Sequence, residues 1–372
     1  MADPCPLWSL LLRKFALGKM SAIEVQEVAS AAVKSGAATP EMVELQRLGT
    51  FGLTKGNCHR DLMRKYFGAM SAPDPYKQPC KLQVKLQGQQ EEKVVDSYLI
   101  LPHQWSLALE SAEMLAPLTC TNEELRMFWE TQKRNPQMSP AMWKSLDFSH
   151  PSTLPVPWCL HGDSAPFTEA DSLQVLSMRC LLTKRPIGES QLLLTALPKA
   201  ALTKEGWQKM METVAWSFSC LREGIAPKKD VEGKKMEKER GKRYRKGWLW
   251  AITGDLEWFA AEFGFPYPAS NQLCAWCMAG QSLTGGAHPY TDFRASATWR
   301  GTVLSPSQLQ RKYGTHALFR KDGISPSFVK LDLLHTLDLG VAAYMHGSVL
   351  VEVMNSYAGR SCLALVEWQK LL

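Results

Sequence analysis

Apolar residues recur at helical spacing through the first 70 residues. In SAIEVQEVASAAVKSG they follow Ser21, whose hydroxyl can accept the orphan N–H groups of a first turn. TPEMVELQRLG opens on Thr-Pro and closes at glycine, a second helix with its start and stop signals. After a proline-rich break at 72–79, KLQVKLQG and KVVDSYLILPH are rich in strand-favouring residues and joined by polar QGQQEE, which predicts a hairpin. Helical spacing returns over 105–143 and ends at SHPSTLPVPW. These changes separate a mixed helical and β N-terminal region, 1–148, from a second domain, 149–372.

The second domain has a more specific order. VPWCLHGDSAPF predicts a strand ending in a Gly-Asp turn, and DSLQVLSMRCLL and SQLLLTALPKAAL predict two more strands around the turn-rich TKRPIGE. A long amphipathic helix, KEGWQKMMETVAWSFSCLREG, follows. GWLWAITGD is a fourth strand running directly into the helix LEWFAAEFG. The expected pattern is β-β-β-α-β-α, an α+β fold.

That order can bring Asp163 and Asp255 together. If the first three strands form an antiparallel meander, the helix crosses over to return the fourth strand beside the first and parallel to it. Both aspartates then emerge at the same end of neighbouring strands. Paired carboxylates repel, and a bound divalent cation relieves the repulsion. Oxygen donors suit Mg²⁺ or Mn²⁺, which can activate a water or a 3′-hydroxyl and stabilise the leaving oxygen of a phosphodiester. The competing reading is two solvated turn aspartates, since Gly-Asp is a common turn dipeptide.

The 372 residues are 45% hydrophobic and 21% charged, an ordinary globular balance that excludes global disorder. No apolar run is long enough to span a bilayer. The first residues, MADPCPLWSLLLRKFALG, put an acid before the apolar run and basic residues after it, the wrong order for a secretory signal. Ten cysteines include one close pair, a pattern of reduced thiols that points to a nuclear or cytoplasmic location. The net charge is +7, and KKDVEGKKMEKERGKRYRK alone holds ten Lys or Arg against four Asp or Glu. This basic insertion, 227–246, reads as a solvated loop, a nuclear-localisation patch or a nucleic-acid contact through Lys234, Lys235, Arg240, Lys242, Arg243, Arg245 and Lys246.

Four blocks resemble those of CACTA-like cut-and-paste DNA transposases, in the same order across roughly 155–355. HGDSAPF resembles the block of the first catalytic aspartate, here Asp163, and AITGDLEWFAAEFGFP that of the second, Asp255. LCAWC is similar to the Cys-x-x-Cys that follows, and FVKLDLLHTLDLGV to a later block whose Asp and His are here Asp332 and His335, supporting residues. The resemblance implies a ribonuclease-H-like domain of mobile-element origin that cleaves and transfers DNA strands with Mg²⁺ or Mn²⁺. It also implies a DNA partner, with a homo-oligomer as a further expectation. The sequence departs from that pattern in its third acid: downstream of His335 it offers only Glu352 and Glu367, at the start of a helical insertion near 336–372, and neither matches. The alternative is therefore a truncated or domesticated, catalytically inactive module that binds nucleic acid or protein.

Cys274 and Cys277 have the spacing of half a tetrahedral zinc site. Structural Zn²⁺ would draw its other ligands from His288, His316 or His335; otherwise the two are free thiols in a loop. His103 and His161 have no evident sequence partner and read as structural. Trp207, Trp216, Trp248 and Trp250 sit at core spacing.

Overall fold

The computed structural model describes residues 6–16, 19–50, 57–67, 73–86, 89–135, 138–166, 171–236, 240–267, 270–280, 288–292, 294–320 and 324–331. The fold is α+β. It divides into two compact units: Met1–Trp158, Ser177–Thr195 and Glu205–Trp248 form the first, and Cys159–Leu176, Ala196–Lys204 and Leu249–Leu372 the second.

The first unit begins with helices α1 (Pro6–Ala16), α2 (Ala22–Lys34), α3 (Pro40–Gln46) and α4 (Cys58–Leu62). Ser21 and Glu24 cap α2 reciprocally, and the Thr39 hydroxyl accepts the Met42 N–H at the start of α3. Leu11, Val25, Ala29, Met42, Leu45 and Leu62 close a small core of their own. Strands β1 (Tyr76–Leu86) and β2 (Gln89–Leu99) form an antiparallel hairpin in register from Tyr76↔Leu99 to Leu86↔Gln89. The polar stretch predicted as its loop is thus largely strand, and the hairpin begins within the proline-rich break.

Four helices follow: α5 (Pro102–Ser111), α6 (Leu115–Leu118), α7 (Asn122–Gln132) and α8 (Pro140–Lys144). From α7, the fully buried Trp129 donates its indole N–H to the Pro155 carbonyl at 2.7 Å and packs edge-on against Trp248 at 5.0 Å. This contact fixes the point where the main sheet begins.

That sheet contains β3 (Val156–Pro166), β4 (Ser172–Cys180), β5 (Leu192–Pro198) and β6 (Gly247–Gly254), in the order β5-β4-β3-β6. The short helix α9 (Ile187–Ser190) precedes β5, and α10 (Lys204–Glu223) lies between β5 and β6. The Leu181 N–H donates to the Pro157 carbonyl at 3.0 Å, so β4 ends where β3 begins and the two run antiparallel. The Val156 N–H donates to the Lys246 carbonyl at 2.8 Å, while Gly254 lies beside the Gly162 carbonyl. Start therefore meets start and end meets end, which makes β6 parallel to β3. The meander and crossover expected from the element order are both present. Each of the four strands has one end in each compact unit, so the units do not follow a linear boundary near Ser149.

Helix α10 buries Met210, Met211, Val214, Ala215, Phe218 and Leu221, and ends at Gly224 with φ +71°. The basic insertion behind it is tied down by antiparallel bridges Ile225↔Arg243 and Lys229↔Lys235. The buried Tyr244 hydroxyl donates to the Cys220 carbonyl at 2.9 Å.

The second unit adds α11 (Leu256–Phe263), the two-residue parallel strands β7 (Ala279–Gly280) and β8 (His288–Pro289), and α12 (Pro306–Tyr313). Phe259, Phe263, Phe265, Phe319 and Tyr313 form its aromatic core. Val329 bridges Ile252 in parallel, and the Lys330 N–H donates to the Ile252 carbonyl at 2.8 Å, continuing the sheet beyond β6.

Candidate functional site

The two Gly-Asp dipeptides sit side by side because a tryptophan needs both glycines. A Cβ on Gly162 would lie 2.1 Å from the Trp258 indole, and one on Gly254 would lie 2.5 Å from it. The indole, on the first turn of α11, thus rests over bare backbone on two adjacent strands. Gly162 consequently lies inside β3, which continues to Pro166; the turn expected at Gly162-Asp163 is not there. Glycine serves close approach here rather than chain reversal.

Each aspartate follows its glycine, so Asp163 and Asp255 lie at the same end of neighbouring strands. Asp255 is the N-cap of α11, and one carboxylate oxygen accepts the Trp258 N–H at 2.5 Å. Asp163 Oδ1 accepts the Ser164 N–H at 2.7 Å. Each therefore engages one oxygen locally and keeps a second. The Asp163 side chain is 40% exposed, open enough to meet an ion or a phosphate.

Strand alternation places Cys159, His161 and Asp163 on one face of β3. His161 Nε2 lies 3.8 Å from Asp163 Oδ2, and its Nδ1 shares a 3.1 Å hydrogen bond with the Thr253 hydroxyl on β6. The Cys159 thiol meets that same hydroxyl at 3.3 Å. Thr253 thus fixes the imidazole plane and leaves Nε2 directed to the carboxylate, the arrangement that orients metal-binding or proton-carrying histidines. Without a partner in sequence His161 reads as structural, and the fold gives it Thr253 and Asp163 as neighbours. The signal was in the i, i+2, i+4 spacing of Cys159, His161 and Asp163.

The Cys-x-x-Cys segment lies in a loop with both thiols free. Burial pushes the Cys277 thiol up to about 11, while the Trp276 N–H donates to Cys274 Sγ at 3.3 Å. Both His316 nitrogens are engaged, Nε2 with Glu262 at 2.7 Å and Nδ1 with the Leu318 N–H at 3.3 Å, which removes one expected ligand. His288 is held in β8 through its backbone N–H to Met278. Among the described residues no group of three or more His, Cys, Asp or Glu is placed to hold a metal ion. Asp332 and His335 lie outside the described residues.

In the basic insertion Lys234, Lys235, Arg240, Lys242, Arg243 and Lys246 are exposed, Lys234 in an ion pair with Glu232 at 2.9 Å. Arg245 departs from its expected role. Its guanidinium turns inward and donates to the Leu154 carbonyl at 3.0 Å, the Pro151 carbonyl at 2.6 Å and Asn122 Oδ1 at 3.2 Å. The guanidinium thus joins the carbonyls at the entry to β3 to the first turn of α7.

Comparison with family models, curated proteins and solved structures finds no match. Among the described residues no helix is long and apolar enough to cross a membrane.

Proposed function

We propose that the chain is a ribonuclease-H-like protein of the transposase type that cleaves and transfers DNA strands with a divalent cation. The supporting observation is the placement of Asp163 and Asp255 at the same end of the parallel neighbours β3 and β6. The donor set fits Mg²⁺ or Mn²⁺, which are commonly held by one or two protein carboxylates and complete their shells with water and substrate phosphate. A cation bound there supplies Lewis-acid stabilisation of the leaving oxygen and lowers the pKa of an attacking water.

The protein side chains have separate tasks. Asp163 and Asp255 offer their unengaged oxygens to the ion. His161, steadied by Thr253, stands beside Asp163 with its Nε2 3.8 Å from Oδ2. The exposed cations of 227–246 hold the phosphate backbone without reading sequence. Asp332 and His335 keep the supporting role implied by the resemblance.

A second reading, a nucleic-acid-binding module without cleavage, is favoured by the lack of a three-donor group among the described residues. Incubating supercoiled DNA with the protein and Mg²⁺ or Mn²⁺ separates the two. Metal-dependent nicking that disappears in Asp163→Asn supports the catalytic reading, whereas DNA retention without nicking supports the other.

A further inference from the structure

The side chains around Asp163 bear on which cation the sheet end would take. His161 and Asp163 are two apart on one face of β3, with Cα atoms about 6.6 Å apart at the rise of an extended strand. The longer imidazole spans most of that gap, bringing Nε2 to 3.8 Å from Oδ2, while Asp163 Oδ1 accepts the Ser164 N–H at 2.7 Å. Between the two residues, Gly162 carries the Trp258 indole on the opposite side of the strand, where a Cβ would lie 2.1 Å from the ring. That packing fixes the backbone from which both donors project.

The hydrogen bonds behind the imidazole set its tautomer. The Thr253 hydroxyl donates to the Leu160 carbonyl at 3.5 Å and lies 3.1 Å from His161 Nδ1. A hydroxyl has one proton, so with that proton directed to the carbonyl it accepts the Nδ1–H. The ring lone pair is then at Nε2, on the side of the carboxylate. A separation of 3.8 Å is too long for a hydrogen bond between Nε2 and Oδ2. Two donors each ~2.1 Å from one first-row ion stand roughly 3.0 to 3.4 Å apart in neighbouring positions, so a shift of about half an ångström lets this pair share one. Metal-binding histidines are commonly held in this way, by a hydrogen bond at the ring nitrogen away from the ion.

We propose that His161 is a nitrogen ligand to the cation held by Asp163, so that the site selects Mn²⁺ over Mg²⁺. This rests on the reading of Asp163 as a cation ligand. Mg²⁺ takes oxygen donors in near-ideal octahedral geometry and keeps its waters. An imidazole nitrogen suits transition ions, and Mn²⁺ accepts it beside carboxylate and water. The nitrogen of His161 and the oxygen of Asp163 leave further positions on the ion to water and substrate phosphate.

The test titrates the full chain with Mn²⁺ and reads the bound ion by pulsed electron paramagnetic resonance. Mn²⁺ is the probe because Zn²⁺ would also be drawn to the thiols of Cys274 and Cys277. The wild type should show nitrogen modulation from a coordinated imidazole and, in competition, bind Mn²⁺ about tenfold or more tighter than Mg²⁺. His161→Gln, which offers an amide oxygen in place of the ring, should lose the nitrogen signal and about tenfold of the preference for Mn²⁺. Thr253→Val should weaken Mn²⁺ binding about tenfold with the nitrogen signal retained. Bound Mn²⁺ without nitrogen modulation, or modulation that persists in His161→Gln, overturns the proposal and leaves Asp163 as a cation ligand if Asp163→Asn abolishes binding. Binding that survives Asp163→Asn unchanged, or no binding by the wild type, overturns both the proposal and the reading beneath it. Because the wild-type spectrum is the primary readout, a folding defect in a variant does not obscure the answer.

Discussion

His103 shows how far burial controls a single titratable group. The imidazole is 1% exposed, shares a 2.7 Å hydrogen bond from Nδ1 with the Ser217 hydroxyl, and has no hydrogen-bond partner at Nε2. Burial lowers its pKa from the ordinary 6.5 to about 4, because the charged ring would be cut off from water. The unfolded chain therefore binds this proton at a higher pH than the folded chain. The stability it contributes is fully present above 6.5 and is lost as pH falls toward 4. Between pH 7 and pH 5 the loss should be about 2 kcal/mol. Urea midpoints at the two pH values measure it, and His103→Leu should show a smaller acid loss than the wild type. An equal loss in both would assign the pH dependence to other groups.

The same scale explains which site residues were legible. Asp163 and Asp255 could be located because the order of the strands that carry or precede them was readable, although β3 runs on past Asp163 to Pro166. The role of the preceding glycines was not legible, since Gly-Asp has the composition of a turn and only Trp258, far along the chain from Gly162, makes close approach the reason for the first glycine. Arg245 looked like its exposed neighbours in a basic run; its inward direction depends on carbonyls some 90 residues earlier that only the fold brings near.

At the scale of elements, α11 illustrates two demands on one residue. Asp255 caps the helix through its carboxylate and, in the proposed function, also faces the cation. Asparagine caps nearly as well as aspartate but lacks the charge. Asp255→Asn should therefore keep stability within a few tenths of a kcal/mol, whereas Asp255→Ala should lose about 1 kcal/mol. Denaturant unfolding of the two variants tests this, and equal losses would contradict the cap. The helices and strands were readable where caps and apolar runs were clear, as at Ser21 and in the nearly continuous apolar runs of β3 and β6. The β1–β2 hairpin differs from the expected one at its tip because QGQQEE carries no apolar alternation, while its strand pairing runs on to Leu86↔Gln89.

Across the whole molecule, the +7 charge is concentrated where 227–246 emerges between α10 and β6. Cations that replace counterions on B-DNA steepen the salt dependence of binding by about 0.9 per phosphate contacted. Replacing Lys235, Arg240, Lys242 and Arg243 together with glutamine, while leaving Arg245 in its internal role, should reduce the slope of log K against log salt by about 3 to 4. An unchanged slope would place the DNA contact elsewhere. The central claim concerns the two carboxylates at the sheet end, and its most direct measurement is nicking of supercoiled plasmid by the wild type, Asp163→Asn and Asp255→Asn with Mg²⁺ or Mn²⁺. The account predicts metal-dependent nicking by the wild type and a loss of about 100-fold or more in each variant, since several kcal/mol of transition-state stabilisation depend on the bound ion. A folded wild-type protein that leaves the plasmid intact with both metals, or a variant that cuts as well as the wild type, would contradict it.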